Sequence, residues 1–97
     1  MGARVTTPMF NFGLWVAKSN NTVYYAESPG FVCAYNSSSV VDIIGYTDSS
    51  NPPTTIRGGE AYQYGTTQKF LSGMPVRKGD YWKVTGASSV DWISIIS

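Results

Sequence analysis

The sequence contains no histidine, a single cysteine and few charged residues. Each of these shortages excludes particular active sites, metal sites or binding partners. Without histidine, the chain cannot build a Ser-His-Asp triad, a Cys-His pair or a histidine-ligated metal site. The one thiol, Cys33, lies in an apolar run at 30–35, which predicts a buried and unreactive side chain. The sequence therefore predicts a protein that is not an enzyme, with no catalytic residue, no metal and no cofactor.

Low charge and short hydrophobic runs exclude two classes of partner. Only 13% of the residues are charged and the formal net charge is +1, so the chain offers no basic field for nucleic acid. No apolar stretch approaches the ~18 residues of a membrane-spanning helix. We expect neither nucleic acid nor membrane as a partner. Because charge stands at about half the usual ~25%, much of the surface is uncharged and polar, or is covered by another protein.

The residues that are present favour β-structure. Val, Ile, Thr and the aromatic residues fill 38 of 97 positions, and these residue types are enriched in strands. Gly, Pro and Asn interrupt every window in which a helix of three turns could form. The sequence predicts an all-β fold, a small antiparallel β-sandwich, as one domain over residues 1–97. Residues 1–12 are a candidate for an extended N-terminal arm.

Turn residues recur at short intervals and divide the chain into candidate strands. We place nine strands between them, at 14–17, 22–26, 31–35, 40–46, 54–57, 60–64, 67–71, 80–85 and 90–96. The segment 49–53 contains two adjacent prolines, which cannot donate to a sheet ladder, and is predicted to be an exposed loop.

Two of the candidate strands carry large apolar side chains on both faces, which predicts that both faces are covered. One of them contains Val40, Val41, Ile43 and Ile44 around a single aspartate. If Val41 and Ile43 face the core of the domain, Val40 and Ile44 face away from it. Exposed apolar side chains on a strand invite aggregation, whereas contact between protomers buries them. We therefore predict an oligomer interface at Val40 and Ile44.

Polar and aromatic residues offer few patterns typical of a binding site. The six carboxylates are scattered singly, and the segment at 48–51 lacks the Gly and Glu that a calcium loop requires, so a solvated turn is the simpler interpretation. The aromatic residues fit either a core or interface, or a platform that stacks against sugar rings. The candidates for that platform are Trp15, Tyr24, Tyr25, Tyr62, Tyr64, Trp82 and Trp92.

Two segments resemble parts of small virion proteins of tailed bacteriophages. Residues 24–32 (YYAESPGFV) are similar to the turn and first strand of these β-sandwiches, and residues 74–86 (MPVRKGDYWKVTG) with the apolar tail 90–96 are similar to their closing hairpin. Segments like the second also occur in trimeric jelly rolls of the tumour necrosis factor and C1q type. The resemblance covers about a third of the chain.

The resemblance implies a jelly-roll-like, non-enzymatic structural protein located in the virion. Such a protein is a head-fibre, decoration or tail-fibre component that assembles as a homotrimer. Its expected partners are other virion structural proteins, with a host surface glycan as a further candidate. The alternative hypothesis is a carbohydrate- or receptor-binding module that works through exposed Trp and Tyr side chains.

Overall fold

The chain folds into two four-stranded antiparallel sheets. The computed structural model describes residues 11–37, 41–61 and 68–96, and none of these residues lies in a helix. The strands are β1 (Asn11–Lys18), β2 (Tyr24–Tyr25), β3 (Gly30–Asn36), β4 (Ile43–Asp48), β5 (Ile56–Glu60), β6 (Lys69–Val76), β7 (Tyr81–Thr85) and β8 (Ser89–Ile96). The described part of the chain contains no helix that is long and apolar enough to cross a membrane.

The strand order identifies the sandwich as a jelly roll. Sheet 1 has the order β1-β8-β3-β6, and sheet 2 has the order β2-β7-β4-β5. β1 pairs with β8, β2 with β7, β3 with β6 and β4 with β5, so the chain follows one long antiparallel hairpin that is rolled into two layers. Two packed four-stranded sheets with this connectivity form a jelly roll. The predicted all-β sandwich is confirmed.

Stacked aromatic rings join the two sheets in the core. Trp92 of sheet 1 stacks on Trp82 of sheet 2 with ring centroids 5.5 Å apart, and Trp82 stacks in turn on Tyr24 at 4.8 Å. Trp82 is 1% exposed. Burial of one large apolar side chain contributes about 1.5–3 kcal/mol to folding, so this column is a substantial part of the stability of the domain.

The two long sides of the sandwich differ in how closely the edges of the two sheets contact each other. On one side β5 and β6 contact each other across the layers, and the Phe70 backbone N–H donates to Oε1 of Glu60 at 2.9 Å. On the other side β1 lies at the edge of sheet 1, whereas the corresponding edge of sheet 2 is the two-residue strand β2. Among the described residues, the sandwich is therefore closed at β5–β6 and open at β1.

A hydrogen-bond network connects the loops at one end of the sandwich. Nδ2 of the buried Asn36 donates to the carbonyl oxygens of Gly86 at 2.8 Å and of Val41 at 3.2 Å. Oδ1 of Asn20 accepts from the Ala87 backbone N–H at 2.8 Å. Three connections that are distant in sequence are thus fixed to one another.

Strand boundaries differ from the predicted ones where glycine changes the backbone geometry. We predicted a break at Gly73, but β6 continues to Val76, because Gly73 forms the extra residue of a bulge opposite Val32 and Cys33 and adopts a φ of 105°. Glycine tolerates this conformation without a steric penalty.

Other boundaries shift in position. β4 begins at Ile43 and not at residue 40, and β2 is shorter than the predicted 22–26. The predicted break between the strands 54–57 and 60–64 is wrong, because β5 runs through Gly58 and Gly59 to Glu60. Residues 62–64 lie outside the described residues. The same holds for residues 1–10 of the candidate arm, whereas Asn11 and Phe12 belong to β1.

Candidate functional site

The carboxylate of Asp48 holds a structural turn at the end of β4. Oδ1 of Asp48 accepts from the Ser50 backbone N–H at 2.8 Å, and its Oδ2 accepts from the backbone N–H groups of Thr54 and Thr55, each at 2.9 Å. The Thr55 hydroxyl donates to the same Oδ2 at 2.8 Å. Within 11–37, 41–61 and 68–96, no three Cys, Asp or Glu side chains come together at a geometry that could hold a metal ion.

The Asp48 turn predicts a specific response to acid. The backbone N–H groups of Thr54 and Ser50 hold the pKa of Asp48 well below its usual range. The carboxylate therefore stabilises the fold above the unfolded-state pKa of about 3.9, and that contribution falls as the pH drops toward the lower folded-state value. We expect Asp48→Asn to lower the Tm at neutral pH and the difference from the wild type to shrink below about pH 4.

Thermal melts of both chains between neutral pH and pH 2 measure this effect. Ser49→Ala, in the same turn but with no titrating group, is the matched control and should show no such convergence. A Tm difference between wild type and Asp48→Asn that stays constant down to pH 2 would contradict the assignment.

Sheet 1 presents aromatic and apolar side chains on the side that faces away from the core. β3 alternates strictly, with Val32 and Ala34 buried while Phe31, Cys33 and Tyr35 point outward. We call the outward set the aromatic face, which comprises Phe12, Trp15, Phe31, Tyr35, Phe70 and Ile93. Its rings meet in pairs, Phe12 with Phe31 at 6.3 Å and Tyr35 with Phe70 at 5.5 Å between centroids.

Two shallow grooves run across the aromatic face. One, of about 470 Å³, lies between Phe12, Trp15, Phe31 and Ile93. The other, of about 350 Å³, lies between Tyr35, Phe70 and Asp91. Both are lined by Cys33 and Ser72, so the two grooves adjoin each other and together form one shallow depression. Among the described residues, Asp91 is the only charged residue that lines either groove, and the depression therefore suits an apolar partner surface.

Cys33 lies at the centre of this depression, and its position corrects our prediction of a buried thiol. The side chain is half-buried and faces outward from β3. Burial, with a smaller effect of the negative charge of Asp91, raises the pKa of the Cys33 thiol. The thiol is accordingly a weak nucleophile at neutral pH, as predicted, although it is not part of the core.

Strand β1 carries exposed apolar side chains that the predicted interface did not include. None of its eight residues is buried. Leu14 is 86% exposed, Trp15 55% and Phe12 54%. The sequence feature that could have identified this strand is the run of four apolar residues at 14–17. Such a run breaks the alternation that is typical of a strand with one face in solvent.

Ile44, one of the two predicted interface residues, lies on the opposite sheet. Ile44 is half-buried on the outer side of sheet 2, next to Thr85 of β7 and Gly59 of β5. Ile43 is 1% exposed, so the two isoleucines face opposite ways as expected. Val40 lies outside the described residues, and the interface at Val40 and Ile44 stays a prediction.

The candidate aromatic platform divides into buried and exposed members. Trp82 and Trp92 are buried in the core, and Tyr24 packs against them. Tyr25 is 54% exposed but its ring tilts by 58° against Tyr81, so these two rings do not form a flat surface. Trp15 is exposed on β1. Tyr62 and Tyr64 lie outside the described residues.

Comparisons of the chain with protein-family models, with curated proteins and with solved structures found no match.

Proposed function

We propose that the chain is a non-enzymatic structural protein of a virion, which functions by assembling with copies of itself into a homotrimer. The observation that carries the proposal is a set of large hydrophobic side chains left at least 41% exposed. Within the described ranges these are Phe12, Leu14, Trp15, Val16, Tyr25, Val41, Ile56, Phe70 and Ile96.

Exposed apolar area of this kind favours lasting contact between proteins. Monomeric proteins rarely expose contiguous apolar patches larger than a few hundred Å², and larger ones mark interaction surfaces. The chain has only 13% charged residues with which to keep such a surface soluble. Contact between copies removes this area from water, and other virion structural proteins are the further partners that the proposal implies.

The resemblance of residues 24–32 and 74–86 to bacteriophage virion proteins supports two parts of the proposal: the location in a virion and the assembly of three copies. The jelly roll is compatible with this role, since viral capsid domains use it. Lectin domains use it as well, and a fold alone does not determine function.

Light scattering at high micromolar concentration tests the proposal. We expect a mass of three times the 10.6 kDa of the chain. Because the contact is apolar, raising the salt concentration to about 1 M should leave the mass unchanged, whereas an ion-pair contact would weaken as the Debye length falls to about 3 Å. A chain that remains at 10.6 kDa would contradict self-assembly.

A carbohydrate- or receptor-binding module is the second candidate, because Trp15 and Tyr25 each expose more than half of their side chains. A glycan array separates the two functions. Specific glycan binding that Trp15→Ala abolishes would favour the module, and the absence of binding across the array would favour the structural role.

A further inference from the structure

We infer that β1 is the strand through which copies of this chain contact one another. The inference rests on the self-assembly part of the proposed function and names the surface responsible. Five of the nine exposed hydrophobic side chains of the described residues lie on β1 or at the adjoining end of β8: Phe12, Leu14, Trp15, Val16 and Ile96. β1 buries no residue of its own, so its apolar side chains serve no core that the domain itself builds.

The fold leaves β1 open on both sides. Trp15 pairs with Ile93 and therefore lies on the aromatic face, whereas Val16 pairs with Trp92 and lies on the inner side of the sheet. Sheet 2 supplies only the two residues of β2 at this edge, and Val16 remains 45% exposed. A partner that covers both sides must therefore pack around the edge of the strand.

A bulge in β1 indicates how that contact is made. The register with β8 shifts between Phe12 and Trp15, and Leu14 projects from the shifted segment with 86% of its side chain exposed. Bulges twist an edge and prevent long ladders with a further strand. The contact is therefore one of side chains, with Leu14 at its centre, and not an extension of the sheet.

The surface fits a second copy of the chain because it contains almost no charge that would repel its own equivalent. Residues 11–17 are uncharged, and the one cation of β1, Lys18, is its last residue. Of the residues that the structure describes, Asp91 is the only charged one that lines the grooves of the adjoining aromatic face. Interfaces between identical subunits are more apolar than transient contacts between different proteins.

The available area agrees with a subunit contact. An aromatic side chain has about 150–250 Å² of surface. Phe12 and Trp15 are 54% and 55% exposed, which leaves roughly 200 Å² in contact with water. That is about a quarter of the ~800 Å² that each partner buries in a standard interface. Leu14 and Val16 on the same strand, and Ile96 beside it on β8, add further apolar area.

Leu14→Asp in the full chain tests the inference. Leu14 is almost fully exposed, so the change should leave the fold intact, whereas in an assembly it would bury a carboxylate in an apolar contact. We expect at least a tenfold weaker association by light scattering, with an unchanged circular dichroism spectrum. The matched control is Ile56→Asp, which changes an isoleucine that is 61% exposed on sheet 2, and it should leave the mass unaltered. Trp15→Ser is a second variant that should weaken association to a similar degree.

The outcomes separate this inference from the proposed function. If the Ile44→Asp variant is monomeric while Leu14→Asp and Trp15→Ser keep the mass of the wild-type assembly, the contact lies on sheet 2. The inference about β1 is then overturned, and the proposal of self-assembly stands. A wild-type chain that is monomeric at high micromolar concentration overturns self-assembly itself, and the role of β1 with it.

Discussion

Replacement of Trp82 by alanine is expected to lower the free energy of unfolding by about 3–5 kcal/mol. Trp82 is 1% exposed and is stacked between Tyr24 and Trp92, so its removal opens a cavity that neighbours on two sheets cannot fill. Domains of this kind have a total stability of about 5–15 kcal/mol. A large fraction of the variant should consequently be unfolded at physiological temperature.

Urea denaturation followed by far-ultraviolet circular dichroism measures this loss. The matched control is Trp15→Ala, which removes the same side chain from a position that is 55% exposed. Measured at concentrations at which the chain is monomeric, that control should cost less than about 1 kcal/mol, since surface substitutions away from packed features have small effects. Equal losses in the two variants would mean that Trp82 does not hold the sheets together.

Gly86→Ala is expected to cost about 3 kcal/mol or more, from two additive causes. Gly86 has a φ of 79°, a left-handed conformation that costs an L-residue with a side chain about 1–2 kcal/mol. An added Cβ would also collide with the carbonyl oxygen of Asp42 and lie 3.1 Å from Cγ1 of Val41. The displaced backbone would lengthen the hydrogen bond from Asn36 to the Gly86 carbonyl, which ties two loops together.

Gly79→Ala separates backbone strain from collision. Gly79 has a φ of 90°, but a Cβ built on it would have no neighbour within 4 Å. The Gly79→Ala variant should therefore lose only about 1–2 kcal/mol of stability, which is the cost of the left-handed backbone conformation for alanine. Thermal and urea unfolding of both variants give the comparison. A loss at Gly79 equal to that at Gly86 would rule out the collision with Asp42 as a significant cause.

Local patterns were sufficient to predict most strands. β7 alternates Trp82 and Val84 with polar residues and begins after a Lys-Gly turn, so both its face and its start follow from the sequence. β8 was placed to within one residue of its observed start. The continuation of β6 through Gly73 could not be predicted, because glycine both breaks strands and forms bulges, and only the opposing strand decides between these outcomes.

The order of the strands depends on contacts that a local pattern does not contain. β1 and β8 lie at opposite ends of the described chain, yet they are neighbours in sheet 1. The all-β prediction needed only residue preferences, whereas the pairing of these strands is a property of the complete fold. The jelly-roll expectation came accordingly from the resemblance.

The candidate site was predicted least well, for a physical reason. An apolar residue on the outward side of a strand gives the same pattern whether a second sheet, a loop or another molecule covers it. We applied this pattern to Val40 and Ile44 and not to β1, where Trp15 was considered only for a sugar platform and Leu14 was not considered. The structure separates the cases, because Ile44 is half-buried by its own sheet whereas Leu14 has almost no intramolecular cover.

The antiparallel pairing of β1 with β8 also determines where attached segments leave the domain. Asn11 lies opposite Ile96, so the first and last described strands start and finish at the same corner of sheet 1. In a shortened chain of residues 11–96, these neighbouring strand ends would permit circular permutation: a linker of a few residues could join them while the chain is opened at the exposed turn of Lys78 and Gly79. A domain fused to either end of that shortened chain would start next to β1, the strand that we propose as the contact between copies, and its bulk would limit how closely the copies approach.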